Sequence, residues 1–149
     1  MLWRIFLKGE QTSLYYRDFE WHEIDCNGRE EKEPFMKNAL IIDDEVDLCR
    51  LLSVQLKSLG VPNEFVNTIQ EAKQRFQSNQ YEIIFLDLNL KDGSGFDMLD
   101  FMKDYPKNQK VIVISAYDTE QKKVLESGAD FFLPKPFTKK KVAQILSAI

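Results

Sequence analysis

From residue 39 onward the chain alternates short apolar runs with stretches in which apolar residues recur every three or four positions. "ALII" (39–42), "IIFL" (83–86) and "VIVI" (111–114) are uninterrupted, too short for helices and rich in β-branched residues, so each predicts a strand buried on both faces. "EFV" (64–66) and "FFL" (131–133) predict two shorter strands. Between them, Leu48, Leu52, Leu56 and Leu59 fall on one face of a helix that Gly60 and Pro62 end. Thr68 and Glu71 have the spacing of a capping box ahead of Ile69, Ala72 and Phe76. The loop "KDGSG" leads into a helix with Leu99 and Met102 on its inner face, and Asp118 with Gln121 predicts a capped short helix that Gly128 terminates. Thr138 opens a last helix with Val142, Ile145, Leu146 and Ile149 as its apolar stripe, and Phe137 stands where it can staple onto Val142.

Five strands alternating with five helices predict an α/β domain, a doubly wound parallel sheet covered on both faces. Such sheets bind ligands beyond the carboxyl ends of their strands. The residues that close the runs therefore carry the chemistry: Asp43 and Asp44, Asp87, Ser115 and Lys135. Carboxylates gathered at one edge repel unless a cation neutralises them, and oxygen-only ligands favour a hard divalent ion such as Mg²⁺. Such an ion keeps waters and open positions for a phosphate oxygen. Lys135 and Ser115 would then neutralise and hydrogen-bond a phosphoryl group, and an aspartate beside them can act as nucleophile. Taken alone, Asp43, Asp44 and Glu45 could instead be a solvated helix start, where acids suit the dipole.

Composition narrows the class. The 149 residues carry a net charge of −4, which argues against a dedicated nucleic-acid surface. Two cysteines, Cys26 and Cys49, are too few for a disulfide framework and suggest a reducing cytoplasm. No run reaches the ~18 apolar residues of a membrane span, and "MLWRIFLKGEQ" makes a poor signal peptide. Residues 1–35 differ: they hold both tryptophans, the only histidine and seven of the eighteen aromatics, show no clean period, and end in the linker-like "GREEKEP". They read as an N-terminal extension, either an arm that packs on the domain or a partner, or a segment upstream of a true start at Met36. Nothing in them completes the domain of residues 36–149, which favours the second.

"IIDDE", "FLDLNLKDGSGFDML", "VIVISAYD" and "GADFFLPKPF" stand in the order and at the spacing of the receiver domain of bacterial two-component response regulators, which the chain resembles from about Met36 to Ile149. The resemblance implies a flavodoxin-like sheet in strand order 2-1-3-4-5. It implies that Asp87 is the phosphoacceptor, served by a histidine kinase or phosphotransfer protein. Mg²⁺ is expected on Asp44, Asp87 and the backbone carbonyl of Asn89, with Asp43 acting largely through water. Ser115 and Lys135 would bind the phosphoryl group, Phe132 would be the switch aromatic, and the Lys135–Pro136 bond would be cis. Asn89 and Tyr117 occupy the two variable positions that tune phosphoryl lifetime, where bulky Tyr117 would slow attacking water. Gly95 matches the loop glycine, and small Ala116 keeps the pocket accessible. Lys91 departs from the family, standing where many relatives have proline, so the loop should be less rigid and more positive. The implied output is a rearranged face of helix 4, strand 5 and helix 5, read by a downstream protein. With no output domain after Ile149, the protein looks like a stand-alone receiver in the cytoplasm, catalysing only its own phosphorylation and dephosphorylation.

Two rival functions stay open. One is a phosphohydrolase working through an aspartyl phosphate, although Asn89 stands where such enzymes often carry a second acid. The other is a degenerate receiver that serves only as a binding module. Among minor features, Lys139, Lys140 and Lys141 read as a solvated first turn, Cys49 as a packed or half-exposed thiol, and Trp21-His22 as a pair without metal partners.

Overall fold

The computed structural model describes residues 13–17, 20–24, 30–31 and 37–149. It divides into two units, Met1–Met36 and Lys37–Ile149. In the first, the backbone forms three short antiparallel strands, Ser13–Arg17, Glu20–Ile24 and Glu30–Glu31, in that order. Sequence periodicity suggests no element there, but Tyr15, Tyr16 and Trp21 are good strand formers. The Trp21 and His22 side chains and Cys26 lie outside the described residues.

The second unit is the predicted sheet. Its strands are β1 (Ala39–Ile42), β2 (Asn63–Val66), β3 (Ile83–Asp87), β4 (Lys110–Ser115) and β5 (Phe131–Pro134). All pairings are parallel, in the order 2-1-3-4-5. The helices are α1 (Val46–Ser58), α2 (Ile69–Ser78), α3 (Gly95–Met102), α4 (Gln121–Glu126) and α5 (Lys139–Ser147). Alternate residues of each central strand point to opposite faces, which explains why the runs are continuously apolar. Leu40, Ile42, Ile84, Leu86, Val111 and Val113 pack with α2, α3 and α4. Ala39, Ile41, Ile83, Phe85, Ile112 and Ile114 pack with α1 and α5. Among the described residues no helix is long and apolar enough to cross a membrane.

Local signals mostly act as their spacing suggests. Thr68 accepts a hydrogen bond from the Glu71 N–H, although the Glu71 carboxylate reaches back to the Asn67 N–H rather than to Thr68, so the box is incomplete. Phe137 and Val142 join the same apolar cluster. Three expectations shift. Leu52 and Leu56 are fully buried as expected, but Cys49 completes the α1 stripe with them while Leu48 and Leu59 lie on its flanks, because a turn of 3.6 residues carries the 49–52–56 line toward the sheet. Met98, not Met102, is the fully buried methionine of α3. Asp118 caps nothing: the chain enters a 3-10 turn over Asp118–Glu120 before α4 begins. A complete capping box forms instead at Ser94 and Asp97, opening α3.

Candidate functional site

Parallel strands starting at one edge finish at the other, so the polar residues that close the apolar runs meet at the carboxyl edge of the sheet. Asp43 follows β1 and is fully buried. Its N–H donates to the Val66 carbonyl, and its own carbonyl accepts from the Asn67 side-chain amide at 2.7 Å and the Cys49 thiol at 3.2 Å. One carboxylate oxygen, Oδ1, accepts from the Glu45 N–H at 2.8 Å, which turns the chain into α1. Asp87 closes β3, is 4% exposed, and accepts from the Asn89 N–H at 3.0 Å. Ser115 closes β4 and is fully buried. Lys135 follows β5, where its N–H donates to the Ser115 carbonyl and its bond to Pro136 is cis.

One ammonium ties this edge together. Lys135 Nζ lies 3.1 Å from each of Asp43 Oδ2, Asp87 Oδ1 and Glu45 Oε1. Burial pushes the Asp43 carboxyl above the usual range, and the Glu45 N–H and Lys135 only partly restore it. Asp87 is likewise raised, by burial and then by the neighbouring Asp43 charge, against the pull of Lys135. Burial alone would lower the Lys135 pKa, but Asp87 and Asp43 outweigh it and hold the ammonium firmly protonated. A single positive charge is thus outnumbered. Carboxylate oxygens of Asp43, Asp44 and Asp87 lie within 4.8 Å of one another, with Asp44 half-buried. An oxygen-only set short of positive charge fits a hard divalent cation.

The remaining predicted residues lie along these strands, their loops and the helices that follow. Exposed Asn89 lies in a small hairpin, Asn89–Leu90 paired with Gly93–Ser94, two positions past Asp87. Tyr117 is 60% exposed, and its N–H donates to Ser115 Oγ at 3.1 Å. Phe132 is half-buried against the α2–α3 side of the core. Ala116 is exposed and lines a groove with Leu48, Leu51, Pro136 and Phe137. Gly95 presses on the end of β3: a Cβ there would collide with the Asp87 carbonyl and lie 2.9 Å from Leu88 Cα. Lys139, Lys140 and Lys141 are exposed.

Three functional contacts escape sequence reading. Glu45, there a helix-start acid, also grips Lys135. Ser115 Oγ donates to Glu120 Oε2 at 2.7 Å, across a turn whose shape spacing does not reveal. Asp92 accepts from the Ile69 and Gln70 N–H groups at 2.8 and 3.2 Å, fastening the 89–94 loop to the start of α2. The loop is therefore anchored despite lacking proline, and Lys91 Nζ within it stands 3.9 Å from Asp44. Thr68 satisfies only the Glu71 N–H of α2, and the Ile69 and Gln70 N–H groups it leaves over are the one signal that could have indicated the Asp92 contact.

The response regulator receiver domain model matches residues 39–147. The chain belongs to this family. It is 34% identical over 104 residues to the KDP operon transcriptional regulatory protein KdpE of Escherichia coli, covering 68% of this chain and 46% of that protein. It is 29% identical over 102 residues to the response regulator PilR of Pseudomonas aeruginosa, covering 67% of this chain and 23% of PilR. The match thus spans less than half the length of either regulator. Among solved structures, a CheY-like receiver domain from Methylobacillus flagellatus superposes with a TM-score of 0.71 at 26% identity, covering 76% of this chain and 98% of that one. The Thermotoga maritima response regulator TrrA, solved in complex with Mg²⁺ and BeF, gives 0.70 at 25% identity with the same coverage. Receiver domains are phosphoacceptor signalling modules of two-component systems rather than conventional enzymes. The acidic cluster of this receiver lies at the carboxyl edge of its sheet, at the end of β1 and β3.

Proposed function

We propose that this receiver takes a phosphoryl group onto Asp87 from a partner histidine kinase or phosphotransfer protein, and signals by contact with a second protein. The observation that carries the reading is the Lys135 ammonium 3.1 Å from both Asp43 and Asp87 in a cluster still short of positive charge. Asp43, Asp44, Asp87 and the backbone carbonyl of Asn89 would hold Mg²⁺. When bound, the ion supplies charge neutralisation for the carboxylates and the incoming phosphoryl oxygens. An Asp87 carboxylate oxygen attacks phosphorus, the bond to the donor's imidazole nitrogen breaks, and the imidazole leaves. Lys135 orients the attacking carboxylate beforehand and pairs with a phosphoryl oxygen afterwards. The Ser115 hydroxyl donates to another, and Phe132 follows it inward. The new charge of about −2 biases the face made by α4, β5 and α5, where the partner binds. Asn89 and exposed Tyr117 flank the site and set the lifetime of the phosphoryl group. A cytoplasmic location suits this chemistry.

A phosphohydrolase finds less support: the residue two places after Asp87 is Asn89, whose N–H orients Asp87 but whose side chain has no acid to activate water. Incubation with Mg²⁺ and acetyl phosphate, followed by intact-mass measurement, tests the reading. One phosphate is expected on the native chain and on a chain starting at Met36, none on Asp87→Asn and none in EDTA. Labelling that survives Asp87→Asn would remove the site assignment, and repeated turnover of a phosphomonoester would favour the hydrolase.

A further inference from the structure

The Ser115 hydroxyl has a single hydrogen to give, and it is committed. It donates to Glu120 Oε2 at 2.7 Å, while its oxygen accepts from the Tyr117 N–H at 3.1 Å. The side chain is fully buried, so water cannot substitute freely for either partner. Glu120 ends the 3-10 turn and immediately precedes α4. That six-residue helix has no side-chain cap of its own, so the Ser115–Glu120 bond is the side-chain tether between its start and the end of β4. Ser115 also follows Ile114, which pairs with Asp87 across the β3–β4 ladder.

We propose that Glu120 is a positioning residue that holds the Ser115 hydroxyl away from the phosphoacceptor, so that phosphoryl binding and release of the α4 start are one event. The inference rests on the phosphoacceptor reading of Asp87. A phosphoryl oxygen and the Glu120 carboxylate compete for the same hydrogen. When the phosphoryl group wins, Glu120 loses its buried donor beside a group of like charge, and the first turn of α4 is freed. By linkage the coupling is reciprocal: a partner that draws the α4 start away from Ser115 raises affinity for the phosphoryl group by the same factor that phosphorylation raises affinity for the partner.

A double-mutant cycle on the full chain tests this, with beryllofluoride and Mg²⁺ as the phosphoryl mimic and affinity read by amide chemical shifts. Glu120→Asp keeps the charge but withdraws the acceptor by one methylene. It should raise beryllofluoride affinity about tenfold, the scale of one charge-assisted hydrogen bond. In a Ser115→Ala background the same substitution should change affinity less than about twofold. Glu120→Gln, which keeps the length and weakens the acceptor, should likewise raise affinity in the parent protein and lose most of that gain in the Ser115→Ala background. No gain in either Glu120 variant, or an equal gain with and without the Ser115 hydroxyl, overturns the proposal. If the unaltered protein takes neither beryllofluoride nor phosphate from acetyl phosphate, the phosphoacceptor reading itself falls, an outcome distinct from a failed cycle.

Discussion

Replacing Asp87 with asparagine should make the metal-free protein more stable, not less. Asp87 is 4% exposed, and its carboxylate lies within 4.8 Å of oxygens of both Asp43 and Asp44. At an effective dielectric near 20, each of those pairs repels by about 3.5 kcal/mol, together about 7. Lys135, at 3.1 Å, returns about 5 kcal/mol on the same footing. The balance is unfavourable by about 2 kcal/mol before desolvation, in the same direction as the raised pKa of Asp87. Asparagine keeps the shape and can still accept from the Asn89 N–H, and Lys135 keeps Asp43 and Glu45, so no orphan charge is created. For a chain of this size, about 2 kcal/mol corresponds to a rise in Tm of about 5 °C.

Calorimetric unfolding in EDTA at neutral pH measures this directly. The advantage of Asp87→Asn should be complete above the raised pKa of Asp87. It should shrink as pH falls through that pKa, because protonating the native carboxyl removes the same repulsion. Saturating Mg²⁺ should reverse the order: at about 100 times its Kd the ion adds about 2.7 kcal/mol to the unaltered protein, and less to a variant lacking one ligand. A lower Tm for Asp87→Asn in EDTA would show that the Lys135 attraction dominates, and the charge-deficit argument for the cation would collapse.

Three further outcomes follow from particular contacts. Gly95→Ala should cost about 2–3 kcal/mol in urea unfolding and slow Asp87 labelling, because the new methyl meets the Asp87–Leu88 backbone and no side chain can yield. Asp92→Ala should cost about 1 kcal/mol, through the lost acceptor for Ile69 and Gln70, and weaken Mg²⁺ binding in a titration, since the loop that carries Asn89 loses its anchor. Burial pushes the Cys49 thiol up to about 12, so in a Cys26→Ser background it should resist thiol reagents at pH 8 until the protein opens. The raised value also means that stability is full below the ordinary 9.0 and is lost as pH rises from there through about 12, which unfolding curves across that window would register.

How much was legible depends on whether a residue's role is set by its strand or by a distant neighbour. β1, β3 and β4 declare themselves because central parallel strands are buried on both faces, and the residues that end them follow automatically. Asp43, Asp87, Ser115 and Lys135 were readable as candidates for that reason. β2 is an edge strand with one buried residue, Val66, and its signal is correspondingly weak. Counting leucines found Leu52 and Leu56 but missed Cys49 beside them, because a cysteine does not announce itself as a core residue. Glu120 was invisible because its role depends on a 3-10 turn that moves the residue preceding α4 two positions on, from the expected Asp118 to Glu120. Asp92 needed the third dimension outright: it reaches 23 residues back along the chain.

The acids outside the cluster of Asp43, Asp44 and Asp87 suggest why such a site can act as a switch. Both donors proposed for the phosphoryl group are already held by carboxylates, Lys135 by Asp43, Asp87 and Glu45, and Ser115 by Glu120. Phosphorylation would then exchange one set of charge-assisted bonds for another rather than form bonds where none existed. Each such bond is worth about 1.5–3 kcal/mol, so the exchange nets a small difference between large contributions. A small difference is what a two-state element needs, since a gap of a few kcal/mol leaves the minor state populated enough for a modification or a partner to select it. A receiver whose Lys135 and Ser115 stood free would gain the whole bond energy on phosphorylation and would be slow to return. Glu45 and Glu120 lower that gain, and the resting arrangement stays within reach.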